Sequence, residues 1–70
     1  MEMFCVAVNI KKARLAKGFK QGDVAERLDV SQAAYSAYEN GTKMPNVMML
    51  KRIADALEVP VGSLYEEFDK

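Results

Sequence analysis

From residue 8 onward, apolar positions recur at intervals of three and four and almost nowhere alternate with a period of two. That spacing predicts helices rather than strands. The first helix is expected over residues 8–17, with Ile10, Ala13 and Arg14 on one face and Gly18 as a left-handed stop. A second, over residues 21–28, turns Val24, Ala25 and Leu28 inward. Asp29 and Val30 then make a brief turn. Ser31 is placed to cap a third helix over residues 32–40, its hydroxyl accepting from a free amide of the first turn. Tyr35 and Tyr38 lie on one side of that helix, and Gly41 ends it. After a loop over residues 42–45, Asn46 caps a fourth helix running to residue 57, with Val47, Leu50, Ile53, Ala54 and Leu57 as its buried stripe. Val59 precedes Pro60, which suits the first turn of a fifth helix over residues 60–68. Ahead of this helical body, residues 8–68, stands an apolar leader, residues 1–7. The segment 3–8 either extends the first helix or pairs as a strand with the same segment of another copy.

Seventy residues make a single domain, residues 1–70. A domain of this size buries only about 60% of its unfolded surface and gains from disulfides, metals or partner subunits. A lone cysteine, Cys5, and no histidine exclude an internal disulfide and a standard zinc site. Tight helix packing and self-association remain. With half the residues apolar and 29% charged, the composition is globular. The apolar run is too short to span a bilayer and lacks the basic flank of a signal peptide, so the expectation is a cytoplasmic protein with no membrane partner. Without a nucleophile–base pair or a glycine-rich phosphate loop, neither an enzyme, a cofactor nor a small-molecule ligand is expected.

The ten basic and ten acidic residues cancel, which by itself argues against a polyanion as partner. Their distribution points the other way. No acid falls between Glu2 and Asp23, where Lys11, Lys12, Arg14, Lys17 and Lys20 are found. None falls between Asn40 and Ala54, which hold Lys43, Lys51 and Arg52, while Asp55, Glu58, Glu66, Glu67 and Asp69 gather toward the end. Such a chain presents a positive face to a polyanion, or merely carries solvated helix faces; charge alone leaves both open.

The stretch 21–39 narrows the choice. Two short helices joined by a few residues cross steeply and need a small residue where their backbones approach, which Ala25 supplies. Leu28, Val30, Tyr35 and Tyr38 form the wedge between them, and the second helix is left proud of the body. With Arg14, Gln21, the run Tyr38-Glu39-Asn40-Gly41, Pro45 and the stretch 50–57 followed by Val59, the chain resembles the Cro/CI-type (XRE-like) helix-turn-helix family of phage repressors and bacterial regulators over residues 10–64.

The resemblance implies an all-α, compact five-helix lambda-repressor-like domain whose helices 2 and 3 form the helix-turn-helix. It implies a repressor that binds double-stranded DNA as a homodimer on a palindromic operator. Gln32 matches the first exposed residue of the recognition helix, where an amide pairs bidentately with adenine N6 and N7 for about 1–3 kcal/mol of discrimination. Ala33, Ser36 and Ala37 share its exposed face as further base contacts. Gln21 matches the phosphate-touching, helix-bracing position, and Lys20, Ser31, Asn40, Thr42 and Lys43 are the other phosphate candidates. Arg14 and Glu39 correspond to a structural salt bridge, not a ligand site. Leu64, Tyr65 and Phe68 are the candidate dimer surface; Met44, Met48 and Met49 are packing or interface filler.

Several positions depart from the family pattern. Asp29 and Glu58 stand where helix-ending glycines are common, and Gly22 weakens the second helix by about 1 kcal/mol relative to alanine. The alanine-rich third helix offers few hydrogen bonds to bases and leaves more to phosphates and DNA shape. These features give weight to a rival, a protein-interaction module of the antitoxin or anti-repressor kind with a protein partner.

Overall fold

The structure, a computed structural model, describes residues 3–65, with side chains from Val6 onward. Four α-helices follow one another: α1, Met3–Lys17; α2, Gln21–Leu28; α3, Gln32–Asn40; and α4, Val47–Leu57. A short 3-10 helix, Val61–Tyr65, closes the described chain. There are no strands among the described residues. α1 packs on α3, α4 and the 3-10 segment; α2 packs on α3 and α4.

The core explains the spacing. Val6, Ile10, Val24, Leu28, Tyr35, Tyr38, Leu50, Ile53, Ala54, Leu57 and Leu64 form one buried cluster drawn from every helix. Each fully buried large aliphatic side chain contributes about 1.5–3 kcal/mol. Ala25, at 3% exposed, belongs to the same cluster at the α2–α3 crossing, where any larger side chain would hold the helices apart.

All four helices stop in the same way. The residues at their C′ positions, Gly18, Asp29, Gly41 and Glu58, are left-handed, with φ of 77°, 61°, 78° and 63°. The amide after each bonds back to the helix: Phe19 to Arg14 O, Val30 to Ala25 O, Thr42 to Ala37 O and Val59 to Ala54 O, at 3.0–3.2 Å. Phe19, Val30 and Val59 then fold onto the core, the apolar contact that accompanies this ending. Asp29 and Glu58 adopt the glycine conformation at some steric cost.

Three expectations need correcting. The first helix starts at Met3 rather than at residue 8, so of the two readings of the apolar leader the structure shows the helix extension, with Val6 and Ala7 buried one turn before Ile10. The fifth element is a 3-10 helix rather than an α-helix. Pro60 O accepts from the Ser63 amide at 3.0 Å and from its hydroxyl at 2.7 Å, which closes the tighter turn. Val47 is 78% exposed rather than part of the α4 stripe, because it opens the helix beyond the body and the stripe starts at Leu50.

Candidate nucleic-acid interface

α3 is held at both ends and along one face. At its start the Ser31 hydroxyl accepts from the Ala34 amide at 3.0 Å, as an N-cap should. At its end Glu39 is drawn inward onto Arg14 of α1. The guanidinium donates from Nε to Oε2 at 2.5 Å and from Nη2 to Oε1 at 3.2 Å, a two-pronged contact with side-chain exposures of 10% and 1%. Arg14 Nη1 also donates to Phe19 O at 2.8 Å, and Gln21 Nε2 donates to Glu39 Oε1 at 2.9 Å. The carboxylate thereby ties the end of α3 to α1 and to the first residue of α2, and Arg14 extends the tie to the α1–α2 turn.

Burial alone would raise the pKa of Glu39, but the hydrogen bonds from Arg14, the nearby Tyr35 hydroxyl dipole and the hydrogen bond from Gln21 outweigh it and hold the carboxyl below its usual range. The hydrogen bond to Glu39 raises Arg14, which stays charged. Burial pushes the Tyr35 hydroxyl well up, with Glu39 adding to the effect. That hydroxyl lies deep beside the pair and influences it electrostatically, but makes no well-aligned hydrogen bond to it.

With its inner face so engaged, α3 turns a short row outward. Gln32 and Ala33 are exposed, and Ser36 and Ala37 are half-buried further along. Ser31, Asn40, Thr42 and Lys43 are exposed around the ends of α3. On α2, Lys20 is exposed at the N-cap and Gln21 is half-buried, its amide directed inward to Glu39. The Asp23 carboxylate reaches back to the Lys20 amide at 3.3 Å. The surface is thus small, polar and methyl-rich, flanked by two cations and by the amide-rich start of α2.

The remaining expectations are placed unequally. Leu64 is 1% exposed and lies in the core between α1 and α4, so it is spent on packing rather than on a dimer surface. Tyr65 is exposed, and Phe68 lies outside the described residues. Met49 packs against the core, whereas Met44 and Met48 are exposed.

Two arginines do work that the charge pattern did not disclose. Arg27 of α2 donates to Ala56 O near the end of α4 at 2.8 Å, and Arg52 of α4 donates to Leu28 O at the end of α2 at 2.7 Å. Each neutralises carbonyls at the other helix's C-terminus. Arg27 also lies 4.3 Å over the Phe19 ring. The only sequence signal was an arginine next to the last residue of α2 and another in the middle of α4, which does not say which neighbour either reaches. No helix of the described residues is long and apolar enough to cross a membrane.

Comparison with known proteins agrees with this geometry. A Helix-turn-helix family model matches residues 10–64. An uncharacterized HTH-type transcriptional regulator of Bacillus subtilis, YqaF, is 44% identical over 48 residues, covering 69% of this chain and 63% of that protein. The cryptic phage CTXphi transcriptional repressor RstR of Vibrio cholerae is 36% identical over 58 residues, covering 76% of this chain and 52% of that protein. The chain therefore spans less than two thirds of the length of these relatives. Among solved structures, the clp gene regulator ClgR from C. glutamicum has a TM-score of 0.86 at 24% identity, covering 90% of this chain and 82% of that one, a likeness of fold.

Proposed function

The chain belongs to the XRE-like helix-turn-helix family, and from that premise we propose that it is a sequence-specific transcriptional regulator, a repressor that reads the DNA major groove with α3. The observation that carries this reading is the division of α3 into a face fixed by Arg14, Gln21 and Glu39 and an outward row beginning at Gln32. Gln32, with Ala33, Ser36 and Ala37, contacts base edges. Lys20, Gln21, Ser31, Asn40, Thr42 and Lys43 contact phosphates. The relatives named as transcriptional regulators and as a phage repressor favour the same reading.

The protein acts as a homodimer on a palindromic operator. The homodimer sets its two α3 helices the roughly 34–36 Å apart that separates successive major grooves on one face of DNA. Tyr65 is the exposed member of the C-terminal surface assigned to the dimer contact. A second reading, a protein-interaction module on the same fold, is favoured by one observation. Met44 and Met48 are exposed and line one shallow cavity with Lys43, an apolar surface of the kind that partners cover.

The test is selection of binding sites from random DNA by the purified protein and by Gln32→Ala, followed by affinity over a salt series. The expected result is a palindromic site, a mutant relaxed at one base step per half-site, and an affinity that falls steeply with salt. No enriched sequence and no difference between the two proteins would overturn base reading and favour the interaction module.

A further inference from the structure

We infer that Gly22 positions the reading side chain Gln32, and so tunes base specificity from a helix that itself faces phosphate. The inference rests on the reading of Gln32 as a base-contacting residue. Gly22 lies in the first turn of α2. Its φ is not positive, unlike those of Gly18 and Gly41, so the backbone itself does not require glycine there. Alanine would favour the helix. What faces Gly22 is the side chain of the recognition helix. A Cβ on Gly22 would stand 3.4 Å from Gln32 Oε1, and no other heavy atom beyond its immediate surroundings lies within 4 Å.

The Gln32 amide therefore leans over the bare backbone of α2. Bidentate pairing with adenine requires Oε1 to accept from N6 while Nε2 donates to N7. Both must point outward in one plane. A methyl group at contact distance would cover one side of Oε1 and narrow the rotation by which the amide turns to the base. The Gln21 amide is directed inward to Glu39, so the groove-side surroundings of Gln32 at this point are set by Gly22. Glycine at this position exchanges helix stability for an unobstructed reader.

The experiment compares wild type, Gly22→Ala, Gln32→Ala and the double variant in thermal melts, in site selection and in affinity for the selected site against the same site changed at the Gln32 step. Gly22→Ala is expected to raise Tm by about 4–8 °C in either background, to lower discrimination at that step about 5-fold in the wild-type background, and to change discrimination no further in the Gln32→Ala background. A purely structural glycine would show the gain in Tm with discrimination intact, which overturns the inference. A loss of discrimination that persists in the double variant also overturns it, since the effect would not run through Gln32. If Gln32→Ala itself leaves selection unchanged, base reading by Gln32 fails and the inference fails with it. If Gln32→Ala relaxes the site while Gly22→Ala does not, only the inference fails.

Discussion

Along the inner face of α3, Tyr35, Tyr38 and Glu39 are buried, and Glu39 alone joins three parts of the chain through Arg14 and Gln21. Along the outer face, Gln32 and Ala33 stand in solvent and Ser36 and Ala37 are half covered. The same nine residues thus carry two unlike kinds of chemistry. Inside, the side chains of Glu39, Arg14 and Gln21 are committed to one another, and removing one strands another. Outside, side chains are short and few, and substitutions there alter what the helix touches without altering how it is held.

Two substitutions separate the faces, the larger expected effect first. Glu39→Ala leaves the buried Arg14 guanidinium uncompensated and should cost about 3–5 kcal/mol. That is a large share of the stability of a 70-residue chain, so thermal melts should show a broad transition and DNA binding should fall with it. Gln32→Ala should leave the melt unchanged. If Glu39→Ala melts like wild type, the inner face does not hold α3.

The same carboxylate sets a pH dependence. Its pKa is lower in the folded chain than in the unfolded one, so its contribution is present above the ordinary carboxylate value, about 4.3, and is lost as pH falls through its own lower value. Melts from pH 7 to pH 3 should therefore lose stability toward the acid end, and Glu39→Gln should flatten part of that slope.

Smaller effects come from the ends of helices. Ser31→Ala removes the cap on α3 and should cost about 1 kcal/mol, read as a lower urea midpoint at unchanged slope. Asp29→Gly should work in the opposite direction by about 0.5–1 kcal/mol, because glycine relieves the left-handed strain recorded at φ 61°. A loss of stability on this substitution would mean that the Asp29 side chain, and not only its backbone, serves the turn between α2 and α3.

Much of this was legible beforehand. The limits of α2 and α3, the caps Ser31 and Asn46, the inward tyrosines and the pairing of Arg14 with Glu39 follow from local chemistry or from the family pattern, and the structure shows each of them. Val47 was misplaced because helical periodicity gives the direction of a side chain but not whether the body extends far enough to cover it. Leu64 was offered to a partner because an apolar residue at the end of a chain looks the same whether it meets its own core or another copy. Arg52 and Gly22 were read locally because their partners lie 24 and 10 residues away, and nothing singled out Arg27, whose partner lies 29 residues away.

The sequence by itself determined where helices begin and end, since capping hydroxyls, left-handed stops and apolar spacing act over four or five residues. It also specified the chemistry offered along α3. Only the tertiary structure decided which side chains are covered, which carbonyls each arginine neutralises, and that Gln32 rests against a residue without a Cβ. Those outcomes depend on distances between segments far apart in the chain, and such distances exist only once the core has closed.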